Sequence, residues 1–170
     1  MIPIILVFVG AAVAFGLVHD QITAHVCVEY FMIAHERIVS SESPIVLGLV
    51  WGVVATWWAG ALAGILVAVA AREGSWPKLD WRCLSRPAAH LAFAMAAAAL
   101  VSGVAGYVLT AHHLVGIVPS YADAIPPDKH ARFMADVFAH AASYAIGLLG
   151  AVVIASWCIF TRRRMAGRSA

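Results

Sequence analysis

An all-α integral membrane protein, a compact bundle of four transmembrane helices with both termini in the cytoplasm, is the fold this sequence predicts. Three observations carry the prediction. The 170 residues are 63% hydrophobic and 12% charged, with a mean hydropathy of +0.89, against roughly 45–50% apolar and about 25% charged in an average soluble domain. Four stretches reach the about 20 mainly apolar residues needed to cross a bilayer. The Lys and Arg residues gather on one side of those stretches. A chain of this size exposes a large surface whatever its fold. So apolar a composition therefore excludes a soluble enzyme, a nucleic-acid-binding module and a disordered segment, and leaves the lipid bilayer as the solvent. The whole chain, 1–170, reads as one membrane domain.

The first span runs over about 2–22. No Lys or Arg precedes it, and its apolar run to Val18 exceeds the about 7–15 residues of a signal-peptide core. The reading is a retained helix, although Ala12-Val13-Ala14 imitates a cleavage site. The second span, 45–71, follows Pro44, and the third, 88–110, follows Pro87. Proline suits a first helical turn, where its missing N–H would be unpaired anyway. Pro119, Pro126 and Pro127 turn the next segment into a loop, and the fourth span covers about 135–160.

Small residues repeat every four positions in the second span, at Gly48, Gly52, Thr56, Gly60, Gly64 and Ala68, and in the third at Ala94, Ala98, Ser102, Gly106 and Thr110. That spacing stacks them on one face and lets a neighbouring backbone approach. The ladders predict a tight bundle. The alternative is that the ladder of the second span meets another copy in a homo-oligomer, or a subunit of a larger membrane complex. Trp57 and Trp58, in mid-span, are expected to pack against lipid or helices.

Orientation follows from loop cations. Arg72, Lys78, Arg82 and Arg86 lie between the second and third spans, and Arg162, Arg163, Arg164 and Arg168 follow the fourth. Only Arg37, Lys129 and Arg132 lie on the other side. Eight against three predicts a multi-pass protein with N and C termini inside. Trp76, Trp81 and Trp157 fall where an inner aromatic belt belongs. Cys27, Cys83 and Cys158 form no CxxC or CxxCH pattern, so neither a disulfide framework nor a c-type haem is signalled.

Sorting polar residues by this topology puts seven of the eight histidines on the outer side, with His90 the exception. His19, Asp20, Thr23, His25 and Glu29 close the first span, His112 and His113 the third, and Asp136 and His140 enter the fourth. Asp136 and His140 share a helix face, continued by Ser143 and Tyr144. An ionisable group inside a span usually faces the bundle interior. His35, His130 and Glu42 read as solvated loop residues. Imidazole with carboxylate suits copper, iron or zinc. The expected ligands are His19, Glu29 and His140, with His112 or His113 completing the set. Asp20 and Asp136 would orient the imidazoles or ligate directly, supported by Thr23 and Tyr144. There is no HExxH and no ExxH pair, so the metal reading rests on convergence alone. Such a centre would make the protein a metal-dependent oxidoreductase or hydrolase. The rivals are a b-type haem between His19 or His112 and His140, and an accessory subunit or small transporter in which the His/Asp set is a structural network or proton path.

The pattern His19-Asp20-Gln21-x-Thr23, Glu29-Tyr30-Phe31, mid-helix Thr56-Trp57-Trp58 and His140-x-x-Ser143-Tyr144 resembles an uncharacterised family of small bacterial four-span inner-membrane proteins. The resemblance covers most of the chain. It implies that His19, Asp20, Glu29, His140 and Tyr144 belong together in a bacterial inner membrane, where the cation asymmetry would turn the site to the periplasm. Members often carry proline where Val28 stands here, and His112 and His113 match no motif of the family.

Overall fold

The computed structural model describes residues 1–168, and every element among them is helical. The order is α1 (Ile2–Val26), α2 (Val28–Ile33), α3 (Pro44–Val54), α4 (Trp57–Arg72), α5 (Trp81–Ala111), α6 (Pro119–Ala122), a 3-10 turn (Pro127–Lys129) and α7 (His130–Arg168). Four runs are long and apolar enough to cross a membrane: Ile2–Val26, Pro44–Arg72, Trp81–Ala111 and Pro127–Arg168. Each reaches beyond the span read from hydropathy. A helix is held by backbone hydrogen bonds and does not stop where its side chains turn polar. At about 1.5 Å per residue, the 39 residues of α7 outrun a hydrocarbon core of about 30 Å.

One start, one loop and one interior differ from what the sequence predicts. Pro87 does not open α5 but lies inside it. The helix starts at Asp80, whose side chain accepts from the Trp81 N–H at 2.7 Å. Pro87 then withholds one hydrogen bond, to Cys83, within the first two turns. The loop before α7 carries α6 and the 3-10 turn. The second span is broken between α3 and α4 around Ala55 and Thr56. Thr56 Oγ1 donates to the Gly52 carbonyl at 2.5 Å, and the Thr56 N–H reaches Val53 O at 3.3 Å. A hydroxyl bonding back to its own helix competes with the ladder and bends it.

The glycine ladder of α3 and α4 is filled by α1. A Cβ on Gly52 would meet Gly16 O at 2.8 Å, one on Gly60 would meet Phe8 O at 2.8 Å, and one on Gly64 would meet Ile5 Cα at 2.8 Å. Helix α5 packs mainly on α7, and α4–α7 and α1–α5 contacts join the two hairpins. The α5 ladder is in register only at its far end: Gly106 and Thr110 are buried, and a Cβ on Gly106 would meet Met134 O of α7 at 2.8 Å, whereas Ala94 is exposed.

The apolar core divides between the two ends. At the end bearing the chain termini, Ile4, Phe8, Val67, Leu84, Ile154 and Cys158 pack together. Beside them Arg162, expected as a tail cation, is buried at 2% exposure. Its guanidinium donates to the carbonyls of Pro77 (2.8 Å), Ala70 (2.7 Å), Glu73 (2.6 Å) and Trp76 (3.2 Å), tying the 73–80 loop to α7. At the histidine end, smaller clusters form around Ile125, Phe133 and Met134 and around Ala24, Phe31 and Leu47. The first packs α2 and the loop before α7 against α7, and the second packs α1 and α2 against α3, beside the candidate site.

Candidate metal centre

His19 and Asp20 stand near the last turns of α1, and His140 enters from α7; all three are buried. One ligand atom from each of them lies within 4.8 Å of the other two. Local helix geometry orients His140: its Nδ1 lies 2.8 Å from the Asp136 carbonyl oxygen, one turn back. A carbonyl only accepts, so Nδ1 carries the proton and the Nε2 of the neutral ring presents its lone pair. That Nε2 faces Asp20 Oδ1 at 3.3 Å, and an ionised carboxylate is also acceptor-only. Two acceptors approach this closely only with a proton or a cation between them: a proton carried by the imidazole or by the carboxyl, or a metal ion. His19 Nε2 is buried and has no hydrogen-bond partner among the described residues, and neither has Asp136 Oδ2. A buried polar atom without a partner costs about 1–3 kcal/mol.

Aromatic rings wall the group. Phe15 stacks on His19 at 5.1 Å, His19 meets His140 edge-on at 4.5 Å, and Tyr30 lies 4.5 Å from His140. Phe31 and Tyr144 follow at 5.9 and 6.3 Å. The rings exclude water and hold both imidazoles in place. Burial raises the Tyr30 phenol pKa, so the ring next to His140 stays neutral.

Thr23 is buried and its Oγ1 donates to His19 O at 3.1 Å, so it braces α1 at the site. Glu29 stands apart from the three-residue group: its carboxylate accepts from Lys129 Nζ and from Cys27 Sγ, the latter at 3.4 Å. Burial alone raises the Glu29 pKa, but the Lys129 hydrogen bond, its own backbone N–H and Cys27 outweigh burial and hold it below 4.5. His112 and His113 are exposed at the end of α5 and also stand outside the group. His113 has a structural task instead. At φ 57° it ends α5, with its N–H on Thr110 O at 3.0 Å and the Leu114 N–H on Leu109 O at 2.9 Å, the Schellman arrangement that glycine usually serves. Tyr144 is half-exposed at the edge of the site.

Protein-family models, curated proteins and solved structures give no match to this chain. The site is therefore read from its own geometry.

Three features escaped the sequence. Phe15 stacks on His19 from four residues away, a helical spacing that signals a shared face. Lys129, counted only as an outer cation, joins α2 to the start of α7 through Glu29. His35 is not solvated: its Nδ1 donates to Tyr30 O at 3.0 Å, and its ring packs on Phe31 and Trp51. Burial, the largest influence, lowers its pKa. His130 likewise uses its ring, bonding to Ile125 O at 2.9 Å. Glu42 remains exposed, paired with Arg37 at 3.1 Å.

Proposed function

We propose that this protein is an integral membrane metalloprotein that holds one transition-metal ion, copper, iron or zinc, on His19, Asp20 and His140. The carrying observation is the pair of facing acceptors, His140 Nε2 and Asp20 Oδ1 at 3.3 Å, beside the partnerless His19 Nε2. Two imidazoles and a carboxylate match the donor preference of these ions. The Asp136 carbonyl behind His140 is the outer partner that fixes a ligating tautomer. Three protein ligands leave coordination positions for water or a substrate atom, the arrangement of catalytic rather than structural sites. Asp136, buried one helical turn from His140 with an unpartnered Oδ2, is a further acid that could receive or return a proton.

The same proposal places both termini in the cytoplasm of a bacterial inner membrane and the site towards the periplasm. Its supports are the eight-to-three division of cations and the resemblance to small bacterial four-span proteins. A haem between His19 and His140 is disfavoured, because a macrocycle separates its axial imidazoles whereas these rings meet edge-on at 4.5 Å. The second reading is a buried imidazolium–carboxylate pair in a structural network, which the 3.3 Å separation also suits.

Metal analysis of detergent-purified protein separates the two. A stoichiometric ion, lost in His140→Ala and in His19→Ala while the variants keep their elution position, supports the metal centre. Metal far below stoichiometry and unchanged by His140→Ala overturns it in favour of the ion pair.

A further inference from the structure

Beneath the His19–Asp20–His140 group the bundle is not filled. A cavity of about 590 Å³ lies between α1, α4, α5 and α7, within the roughly 300–1,000 Å³ of small-molecule sites. Its room comes from missing side chains: Ala12, Gly60, Ala63, Ala92, Gly147 and Ala151 form much of the wall. Residues of all four spans contribute, so the space belongs to the bundle interior rather than to one helix surface.

The wall is chemically selective. None of the described residues lining it is charged, and its polar side chains are those of Tyr144 and Trp58. A phosphate or carboxylate head would find no countercharge there, and desolvating it would be prohibitive. An apolar chain meets a matching wall, and a hydroxyl or carbonyl oxygen meets the phenol or the indole N–H, groups that seek hydrogen-bond partners when buried. Trp58, Leu62 and Leu66 of α4 and Tyr144 and Leu148 of α7 line the cavity and are also exposed. Its open side therefore lies between these two helices, at mid-span, where the surrounding solvent is hydrocarbon.

Tyr144 links this space to the site above. Its ring lines the cavity and lies 6.3 Å from that of His140, one helical turn away on α7. We propose that the cavity binds a lipid-soluble molecule with one apolar chain and one uncharged, oxygen-bearing head, which enters between α4 and α7 and lodges its head at Tyr144 beside His140. Binding rests on the cavity alone. The role of this molecule as the substrate of the His19–Asp20–His140 centre rests on the metal reading proposed above.

The probe is a long-chain alcohol carrying a photoreactive diazirine, added to the full-length protein in phospholipid nanodiscs. Expected is saturable labelling, mapped by peptide mass spectrometry to α4 and α7 positions on the cavity wall. An excess of unlabelled long-chain alcohol should compete, and added phospholipid should not. Ala63→Phe and Ala92→Phe, which fill the space, should remove the saturable component without changing the bound metal. Tyr144→Phe should weaken competition by the alcohol but not by the alkane of equal length, a difference that loss of packing alone does not produce. Labelling of the wild-type protein that never saturates, or that spreads over lipid-facing positions such as Phe93 and Val101, overturns the proposal without reference to any variant. His140→Ala keeps the two ideas apart: it removes the metal if the centre is real and leaves the labelling intact.

Discussion

His140 illustrates what a single side chain reveals before and after its surroundings are known. An ionisable residue two turns inside an apolar span must face a partner, so its importance is legible in the sequence. Its tautomer is not, because that depends on the Asp136 carbonyl at 2.8 Å. Arg162 shows the opposite case. Next to Arg163 and Arg164 it reads as one of four tail cations, and only the carbonyls of the distant 70–77 stretch make it a buried staple. Glu29 was legible as an outer acid, but its partner Lys129 lies 100 positions away, beyond any local pattern. This pair carries a pH prediction. The Glu29 carboxyl is held below its ordinary 4.5, so its contribution to stability is fully present above that value and is lost as pH falls through the lowered one. Glu29→Gln should therefore lower the melting temperature at pH 7, and the gap from wild type should close on acidification below about 4.5. Thermal unfolding of both proteins across that range checks it, and a gap independent of pH would assign the effect to packing.

Helices and their contacts follow the same division at larger scale. The four-residue ladder identified the packed face of the second span because only small residues tolerate close backbones, and it is α1 that takes that face. In α5 the same spacing misled at Ala94. Alanine is small enough for a packed face but apolar enough for lipid, so a run of alanines does not fix a register. Pro87 misled for a related reason: proline is compatible with a first turn but does not require one, and the Asp80 cap starts the helix earlier. The ladder predicts a contrast between two glycines. On Gly60 a Cβ would meet Phe8 O at 2.8 Å and Val9 Cα at 2.9 Å, whereas on Gly10 nothing lies within 4 Å. Gly60→Leu should destabilise the bundle by about 1–3 kcal/mol, the usual cost of overpacking. Gly10→Ala should be neutral or stabilising by up to about 1 kcal/mol, since glycine weakens a helix interior. Unfolding in mixed micelles measures both, and equal effects would contradict the packing of α1 on α4.

For the whole molecule, membrane location and four crossings were legible because they depend on composition and length, which tertiary contacts hardly alter. The cavity was not, since it arises where small residues from four separate segments face one another. The direction of insertion rests on cation asymmetry, and the cysteines make it testable without engineering. Cys27 and Cys158 are buried at 3% and 0% exposure, while Cys83 is exposed near the terminus-bearing end. Burial and the Glu29 hydrogen bond also raise the Cys27 thiol pKa to about 12, and a thiol that does not ionise reacts slowly. An impermeant maleimide should therefore report on Cys83 alone. Expected is labelling of inside-out vesicles but not of intact spheroplasts, with the signal lost in Cys83→Ser. Labelling of spheroplasts that disappears in Cys83→Ser would invert the bundle, and would turn the His19–Asp20–His140 centre towards the cytoplasm.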